Sequence, residues 1–386
     1  MHSSVELFYA GALFLSMFLS AFLLSYLKVP TIVSFMLAGL ASKALFPKEL
    51  AELFGFLEIS AITLLFFFIG LEYSFERLAG MRRVLLPGLV DLALNFLPAF
   101  AIAYLFTQDL FVSFLIGAIM YPSSTAITAK LLMDYKRLVN PEAELLIGVL
   151  IFEDLVSIML ISAFTAFASQ GSIDLVGLFR ALLLILLVFL LFFLLRKPAK
   201  VASEFVERKV DESLVVFLVL GVLLLSASAS LSFGLSDALT AFMLGVLVPE
   251  KSKLYEVIEK SLADLKDLAM GVFFFMFTFH SKLSFDFEPL LFVLLFSVGI
   301  ASKFFSTYVA SRLYGLNKRA SFRASLSFLQ RGEFSVIFAS FSEKTQALSF
   351  LLVLSTAILG SYAFVLAPRI AQRIFPQKKA VPRPPP

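Results

Sequence analysis

The chain has 386 residues, of which 60% are hydrophobic and 16% are charged, with 32 Lys and Arg against 28 Asp and Glu. Soluble domains carry about 25% charged residues, so this composition and the mean hydropathy of +0.95 exclude an ordinary soluble enzyme and a disordered chain. The lack of Cys and the presence of only 2 His exclude thiol chemistry and Cys- or multi-His metal centres.

Hydrophobic segments run the whole length of the chain. A spanning helix needs roughly 20 mostly apolar residues, and on this criterion the sequence predicts an all-α polytopic membrane protein with about 13 transmembrane helices. The candidate spans are 7–26, 31–46, 53–71, 84–106, 110–132, 143–169, 173–195, 213–232, 234–249, 262–280, 288–311, 321–342 and 347–374. The N-terminal MHSSVE lacks the basic region of a signal peptide, so we expect it to remain in the mature protein.

The loop charges predict an orientation in the membrane. Lys and Arg are enriched in cytoplasmic loops, and with thirteen spans most of the basic residues fall on the side of the C-terminus. We therefore expect a multi-pass protein of the cell inner membrane with its N-terminus outside and its C-terminus in the cytoplasm. Two cations, Lys303 and Arg331, fall inside predicted spans instead.

Ionisable residues inside the spans are the candidates for function, because each costs about 2.5–3.5 kcal/mol at the centre of a membrane helix. They are Asp91, Glu153, Asp154, Lys303, Arg331 and Glu333, with Asp237 near a span start. Glu153 and Asp154 are adjacent, so they point about 100° apart on a helix. Lys303 is the expected partner of Glu153, and because one lysine cannot neutralise two carboxylates, Asp154 is expected to face a cavity. The alternative is a salt bridge that only holds helices together.

Two spans are expected to be broken in mid-membrane. The first contains Pro122 followed by Ser123, Ser124 and Thr125, and the second contains Gly332 between Arg331 and Glu333. Proline removes a backbone donor, and carbonyls freed in lipid need partners. Spans 1–6 and 8–13 form two units of opposite orientation, and the broken span is the fifth of each. Paired interrupted helices in inverted repeats predict a mid-membrane ion site of a secondary transporter.

Seven segments carry a family resemblance, in order along the chain: YLKVPTIVSFMLAGL (26–40), LLFFFIGLEYSFERL (64–78), SSTAITAKLL (123–132), FEDLVSI (152–158), GLSDALTAFMLGVLV (234–248), GIASKFF (299–305) and QRGEFSVI (330–337). They resemble the second cation:proton antiporter family, which includes NapA-type sodium/proton antiporters and the membrane domain of Kef potassium-efflux proteins. The acidic pair of that family is Asp-Asp or Gln-Asp, so Glu153 departs from the pattern.

The resemblance implies a domain organisation with two kinds of helices. Scaffold helices would form a homodimer and core helices would transport the ion. The boundaries are 1–83 and 213–287 for the scaffold, 84–169 and 288–376 for the core, 170–212 for a linking helix and loop, and 377–386 for a basic Pro-rich tail.

The implied function is exchange of a monovalent cation for H⁺ by alternating access, with Na⁺ expected first and K⁺ or Li⁺ as alternatives. Asp154 would bind cation or proton in competition, Lys303 would pair with Glu153, and Ser124 and Thr125 would add oxygen ligands. The residues expected to be structural at the helix crossing are Pro122, Arg331, Gly332 and Glu333, with Arg331 and Glu333 expected to form a pair. The resemblance implies no bound cofactor and no nucleic acid, and it leaves the role of Asp91, the stoichiometry and a regulatory subunit open.

Three other classes compete with this interpretation. A cation channel or uniporter of the same fold would not require competition between cation and proton. An organic-anion symporter could use a related inverted repeat. An intramembrane protease is disfavoured, because the sequence contains neither a Gly-Asp dipeptide nor HExxH.

Overall fold

The computed structural model describes residues 2–26, 29–43, 45, 50–71, 82–170, 175–232, 237–250, 252–280 and 287–376. These residues form fifteen α-helices and no β-strand, which confirms the all-α fold. The helices are α1 His2–Ser25, α2 Thr31–Ser42, α3 Leu50–Leu71, α4 Arg82–Thr107, α5 Leu110–Met120, α6 Thr125–Asp134, α7 Pro141–Gln170, α8 Leu175–Lys209, α9 Glu212–Ser232, α10 Asp237–Leu247, α11 Lys253–His280, α12 Pro289–Tyr314, α13 Lys318–Leu326, α14 Glu333–Ser340 and α15 Glu343–Ile374. The basic tail 377–386 and the motif residues 27–28, 72–78 and 234–236 lie outside the described residues.

Six of these helices are long and apolar enough to cross a membrane. The apolar segments are Leu7–Ser25, Arg82–Thr107, Pro141–Thr165, Glu212–Ser232, Pro289–Tyr314 and Glu343–Ile374. Four shorter apolar helices accompany them, at Thr31–Ser42, Gly55–Leu71, Leu110–Met120 and Asp237–Leu247. The multi-pass character is therefore clear, whereas the count of thirteen spans stays a prediction.

The chain divides into two compact units, and three of the five boundaries fall inside helices. The first unit contains Met1–Met81, Asp154–Asp286 and Val336–Phe350, and the second contains Arg82–Glu153, Phe287–Ser335 and Leu351–Pro386. Helix α7 changes unit between Glu153 and Asp154.

In the first unit, glycines allow helix backbones to approach each other closely. A methyl group at Gly70 in α3 would collide with the carbonyl oxygen of Phe242, and one at Gly245 in α10 would collide with that of Phe67. Small residues are the usual means of close helix packing in lipid, where burial of apolar surface gives little driving force. The reciprocal contact fixes α3 against α10.

Helix α8 is longer than the span that its hydropathy predicts. The predicted span 173–195 ends where the basic residues begin, but the helix continues through Pro198 to Lys209. Charges end an apolar segment without ending a helix, because Arg, Lys and Glu are all good helix formers. The linking segment therefore begins as one helix of 35 residues.

In the second unit, α12 packs along α4, and α4 also packs against α5. Side-chain caps start α5 and α13: Asp109 accepts from the backbone of Phe111 and Val112 at 2.9 and 3.1 Å, and Asn317 accepts from that of Ala320 at 2.9 Å. Helix α12 ends at Gly315, whose φ of 102° is left-handed and is tolerated by glycine. Local signals thus fix the ends of the helices that carry the site.

A buried ionic cluster fixes the start of α7 in this unit. Glu142, in the first turn, is fully buried and contacts the guanidinium groups of Arg137 and Arg323. Arg137 also donates to the carbonyl oxygen of Phe364 at 2.9 Å and to Ser327 Oγ at 2.8 Å. The cluster ties the loop before α7 to α13 and α15, and a carboxylate at a helix N-terminus is favourable.

Candidate functional site

Both broken spans are helical only on either side of their polar residues, as the sequence predicts. Helix α5 ends at Met120 and α6 begins at Thr125, with Pro122 buried between them. Helix α13 ends at Leu326 and α14 begins at Glu333. The two interruptions belong to the second unit, where they lie against each other.

The breaks contact each other through Ser124. Its backbone N–H donates to the carbonyl oxygen of Gln330 at 2.9 Å, and its hydroxyl donates to Glu333 Oε2 at 3.0 Å. A methyl group added at Gly332 would collide with Ser124 Cβ. The crossing therefore requires glycine at position 332 and satisfies backbone groups that the breaks release.

Replacing Gly332 with Ala is expected to disrupt the crossing, because the added methyl group has no space. We expect lower thermal stability in detergent and loss of transport. Gly221→Ala is the matched control, since nothing lies within 4 Å of a Cβ placed there in α9. A Gly332→Ala protein as stable and active as Gly221→Ala would contradict the packing argument.

The centre of the site is the ammonium group of Lys303, which α12 holds in a fully buried position. Its Nζ lies 2.8 Å from Asp91 Oδ2 and also contacts Glu153 Oε1. Glu153 accepts a second hydrogen bond from the backbone N–H of Ser123, in the first break. The expected partners Lys303 and Glu153 are thus in contact, and Glu153 connects the lysine to the unwound segment.

Asp91, whose place the sequence left open, is the second carboxylate on Lys303. Its other oxygen accepts from Ser306 Oγ at 2.7 Å and from Asn95 Nδ2 at 3.1 Å. Asp91 and Asn95 are four residues apart on α4, while Lys303 and Ser306 are three apart on α12, so each pair shares a helix face. In the sequence these two polar stripes indicate a polar face on each helix, and the structure shows that the two faces meet.

Arg331 and Glu333, expected to pair at the crossing, have different hydrogen-bonding partners. Arg331 is buried and donates to the carbonyl oxygen of Tyr121 at 2.8 Å, and to Asn95 Oδ1 and the carbonyl oxygen of Gly299 at 3.3 Å each. Tyr121 follows the C-terminus of α5, where a cation is favourable, whereas Glu333 lies beside the N-terminus of α6, where an anion is favourable. Each charge thus complements a broken helix end.

The remaining site residues differ in their exposure. Asp154, one residue beyond Glu153, is fully buried, while Thr125, the first residue of α6, is half-buried. Both have interaction partners in the chain. The contacts with Lys303 and Ser123 therefore hold Glu153, the residue that precedes Asp154 on α7.

The comparisons with known proteins agree with this architecture. The sequence model of the family described as "Sodium/hydrogen exchanger, transmembrane" matches residues 13–370. The ammonium/H⁺ antiporter subunit AmhT of Alkalihalophilus pseudofirmus is 34% identical over 97% of this chain and 96% of its own. The K⁺/H⁺ antiporter subunit KhtU of Bacillus subtilis is 28% identical over 81% of this chain and 78% of its own. The solved structure of the sodium proton antiporter MjNhaP1 from Methanocaldococcus jannaschii matches with a TM-score of 0.72 at 19% identity, covering 98% of this chain and 100% of that one.

Proposed function

Because the chain belongs to the sodium/hydrogen exchanger family, it is a cation:proton antiporter and not an enzyme, and we propose that Asp154 is the carboxylate that carries the exchanged ions. The observation that supports this proposal concerns Glu153, the residue before Asp154: Glu153 is held by Lys303 and by the backbone of Ser123. Asp154 points about 100° away from Glu153 on the same helix, so it is not fixed by that pair.

Competition at one carboxylate is sufficient to couple the two fluxes. A bare carboxylate is costly in a membrane interior, whereas its protonated and cation-bound forms are neutral and can be carried across. The protein would therefore change its access only when Asp154 is occupied by H⁺ or by the cation. This is exchange by alternating access.

The unwound segment supplies further oxygen atoms for a dehydrated cation. Alkali cations in membrane proteins are bound by oxygen atoms that replace their hydration shell. We propose Ser124 and Thr125 as contributors, since both carry a hydroxyl group and lie directly after the helix break at Pro122. Ser124 is already polarised by its hydrogen bond to Glu333.

The names of the relatives favour a larger cation than the Na⁺ expected from the sequence. The two curated relatives are named for ammonium and for K⁺, and both cover most of this chain. We therefore propose K⁺ or ammonium as the first candidate cation. Sodium stays the second candidate, because the description of the family names it.

Proteoliposomes with an acidic lumen test this function and rank the cations. Addition of external Na⁺, K⁺, Li⁺ or ammonium should release protons from the lumen, with the transported cation effective at the lowest concentration. Protein-free liposomes control for the passive entry of ammonia. A channel would move the cation without releasing protons when the membrane potential is clamped, and absence of proton release with all four cations would refute antiport.

We also propose that the scaffold helices of 1–83 and 213–287 form a homodimer in the inner membrane. Helix α1 supports this, because Leu7, Phe8 and Phe18 on it are 73%, 70% and 61% exposed. The chain lacks native Cys, so a single Cys at Phe18 should form cross-linked dimers with a short reagent. Failure at both Phe8 and Phe18 would remove α1 from the interface.

A further inference from the structure

The second unit contains a buried charge network, and the proposed mechanism gives no role to two of its members, Asp91 and Arg331. Asp91, Glu153, Lys303 and Arg331 are each at most 1% exposed. Arg331 joins the other three through Asn95, which accepts from Arg331 and donates to Asp91. With every member ionised, the two anions and two cations cancel.

Lys303 has more negative charge around it than a single salt bridge provides. Its ammonium group contacts Asp91 at 2.8 Å in addition to Glu153. The two carboxylates differ in their other contacts. Glu153 is bound to the unwound segment at Ser123, whereas Asp91 is held inside α4 and α12 by Asn95 and Ser306.

We propose that Asp91 is the permanent counter-ion of Lys303 and makes the exchange electroneutral. This inference rests on the proposed function, in which Asp154 carries the ions. A buried ammonium group with no anionic partner is driven to lose its proton. Because Asp91 stays in contact with Lys303, movement of Glu153 away from the lysine does not leave the ammonium group unpaired. Lys303 then keeps its proton throughout the cycle.

The stoichiometry follows from which groups titrate. If Asp154 alone exchanges its occupant, one proton moves for each monovalent cation and no net charge crosses the membrane. If Lys303 also released its proton, two protons would move for each cation and the cycle would carry net charge. Asp91 is therefore a positioning residue: it contacts neither ion, and it favours the first case, electroneutral exchange, over the second.

Transport of the full chain in proteoliposomes under an imposed membrane potential tests this inference. A thiocyanate gradient sets the potential without adding a transported cation. Wild-type exchange should be insensitive to the potential. In Asp91→Asn, Lys303 should lose its proton when Glu153 moves, and exchange should become voltage-dependent. One uncompensated charge per cycle can shift the equilibrium cation gradient by up to about 50-fold per 100 mV.

Two further variants separate charge from packing. Asp91→Glu keeps the negative charge and should stay insensitive to voltage. Ser306→Ala removes a hydrogen bond to Asp91 without changing any charge, and it too should stay insensitive. A merely structural role for Asp91 would lower the activity of Asp91→Asn without making it depend on voltage, and this result would overturn the inference.

If Asp91→Asn does not fold, the measurement on the wild-type protein still tests the inference. Wild-type exchange that is driven by the membrane potential would overturn the inference and leave the proposed antiport intact. Absence of any cation-dependent proton flux would instead refute the proposed function, and the inference with it.

Discussion

Asp154→Asn is expected to reduce cation-dependent proton flux to the level of protein-free liposomes. An amide of the same shape neither takes up a proton near neutral pH nor carries the charge that binds a monovalent cation. The protein itself should stay folded, because the substitution leaves Lys303 with both of its contacting carboxylates, Asp91 and Glu153. The measurement is proton release in reconstituted vesicles, with folding checked by size-exclusion chromatography in detergent.

Asp134→Asn is the matched control for this variant. It makes the same substitution at the exposed last residue of α6 and should leave the flux unchanged. Proton flux in Asp154→Asn near that of Asp134→Asn would assign the carrier role to another carboxylate. Glu153 would then be the next candidate.

Lys303→Gln is expected to destabilise the second unit strongly. Removing one partner of a buried ion pair costs about 3–5 kcal/mol because it leaves an uncompensated buried charge. Here it leaves two, since Asp91 and Glu153 share the ammonium group. We expect a lower unfolding temperature in detergent together with loss of normal transport.

A compensated variant tests the electrostatic origin of this effect. Combining Lys303→Gln with Asp91→Asn removes one charge of each sign from the buried network and leaves one anion, Glu153, and one cation, Arg331, so it should recover much of the lost stability. Transport should not return. A Lys303→Gln protein as stable as the wild type would show that the ammonium group does not hold these carboxylates.

The sequence located the breaks and the lysine, because their signals are local or few in number. Pro122 and Gly332 disturb a helix whatever surrounds them, so their effect can be read without knowing the fold. Lys303 is one of only two basic residues inside the predicted spans. The number of candidate partners for Lys303 among the intramembrane carboxylates could therefore be reduced by elimination.

The role of Asp91 could not be settled in this way. Whether it reaches Lys303 depends on the rotation of α4 against α12, which the packing of both helices decides. The polar stripes of Asp91 with Asn95 and of Lys303 with Ser306 indicate a polar face on each helix. They do not indicate that the two faces meet.

Arg331 and Glu333 show a different limit of sequence reasoning. Opposite charges separated by one glycine suggest a local pair, but the chain is unwound there, and each side chain interacts with an end of the other broken span. The sequence alone does not show which side chains lie near the ends of the half-helices, where the helix dipoles act, because this depends on how the two broken spans cross. Contacts with the other broken span, and not a local pair, therefore hold Arg331 and Glu333.

The network around Lys303 also imposes an order on the biosynthesis of the protein. Asp91 and Lys303 are 212 residues apart, so Asp91 is synthesised long before Lys303, the residue whose ammonium group it contacts. At ~5–20 residues per second, the ribosome needs roughly 10–40 s to cover that distance. During this interval Asp91 must remain hydrated, be protonated or stay in the insertion machinery. A nascent chain that stops before residue 303 lacks the ammonium group that contacts Asp91 and Glu153 in the complete fold.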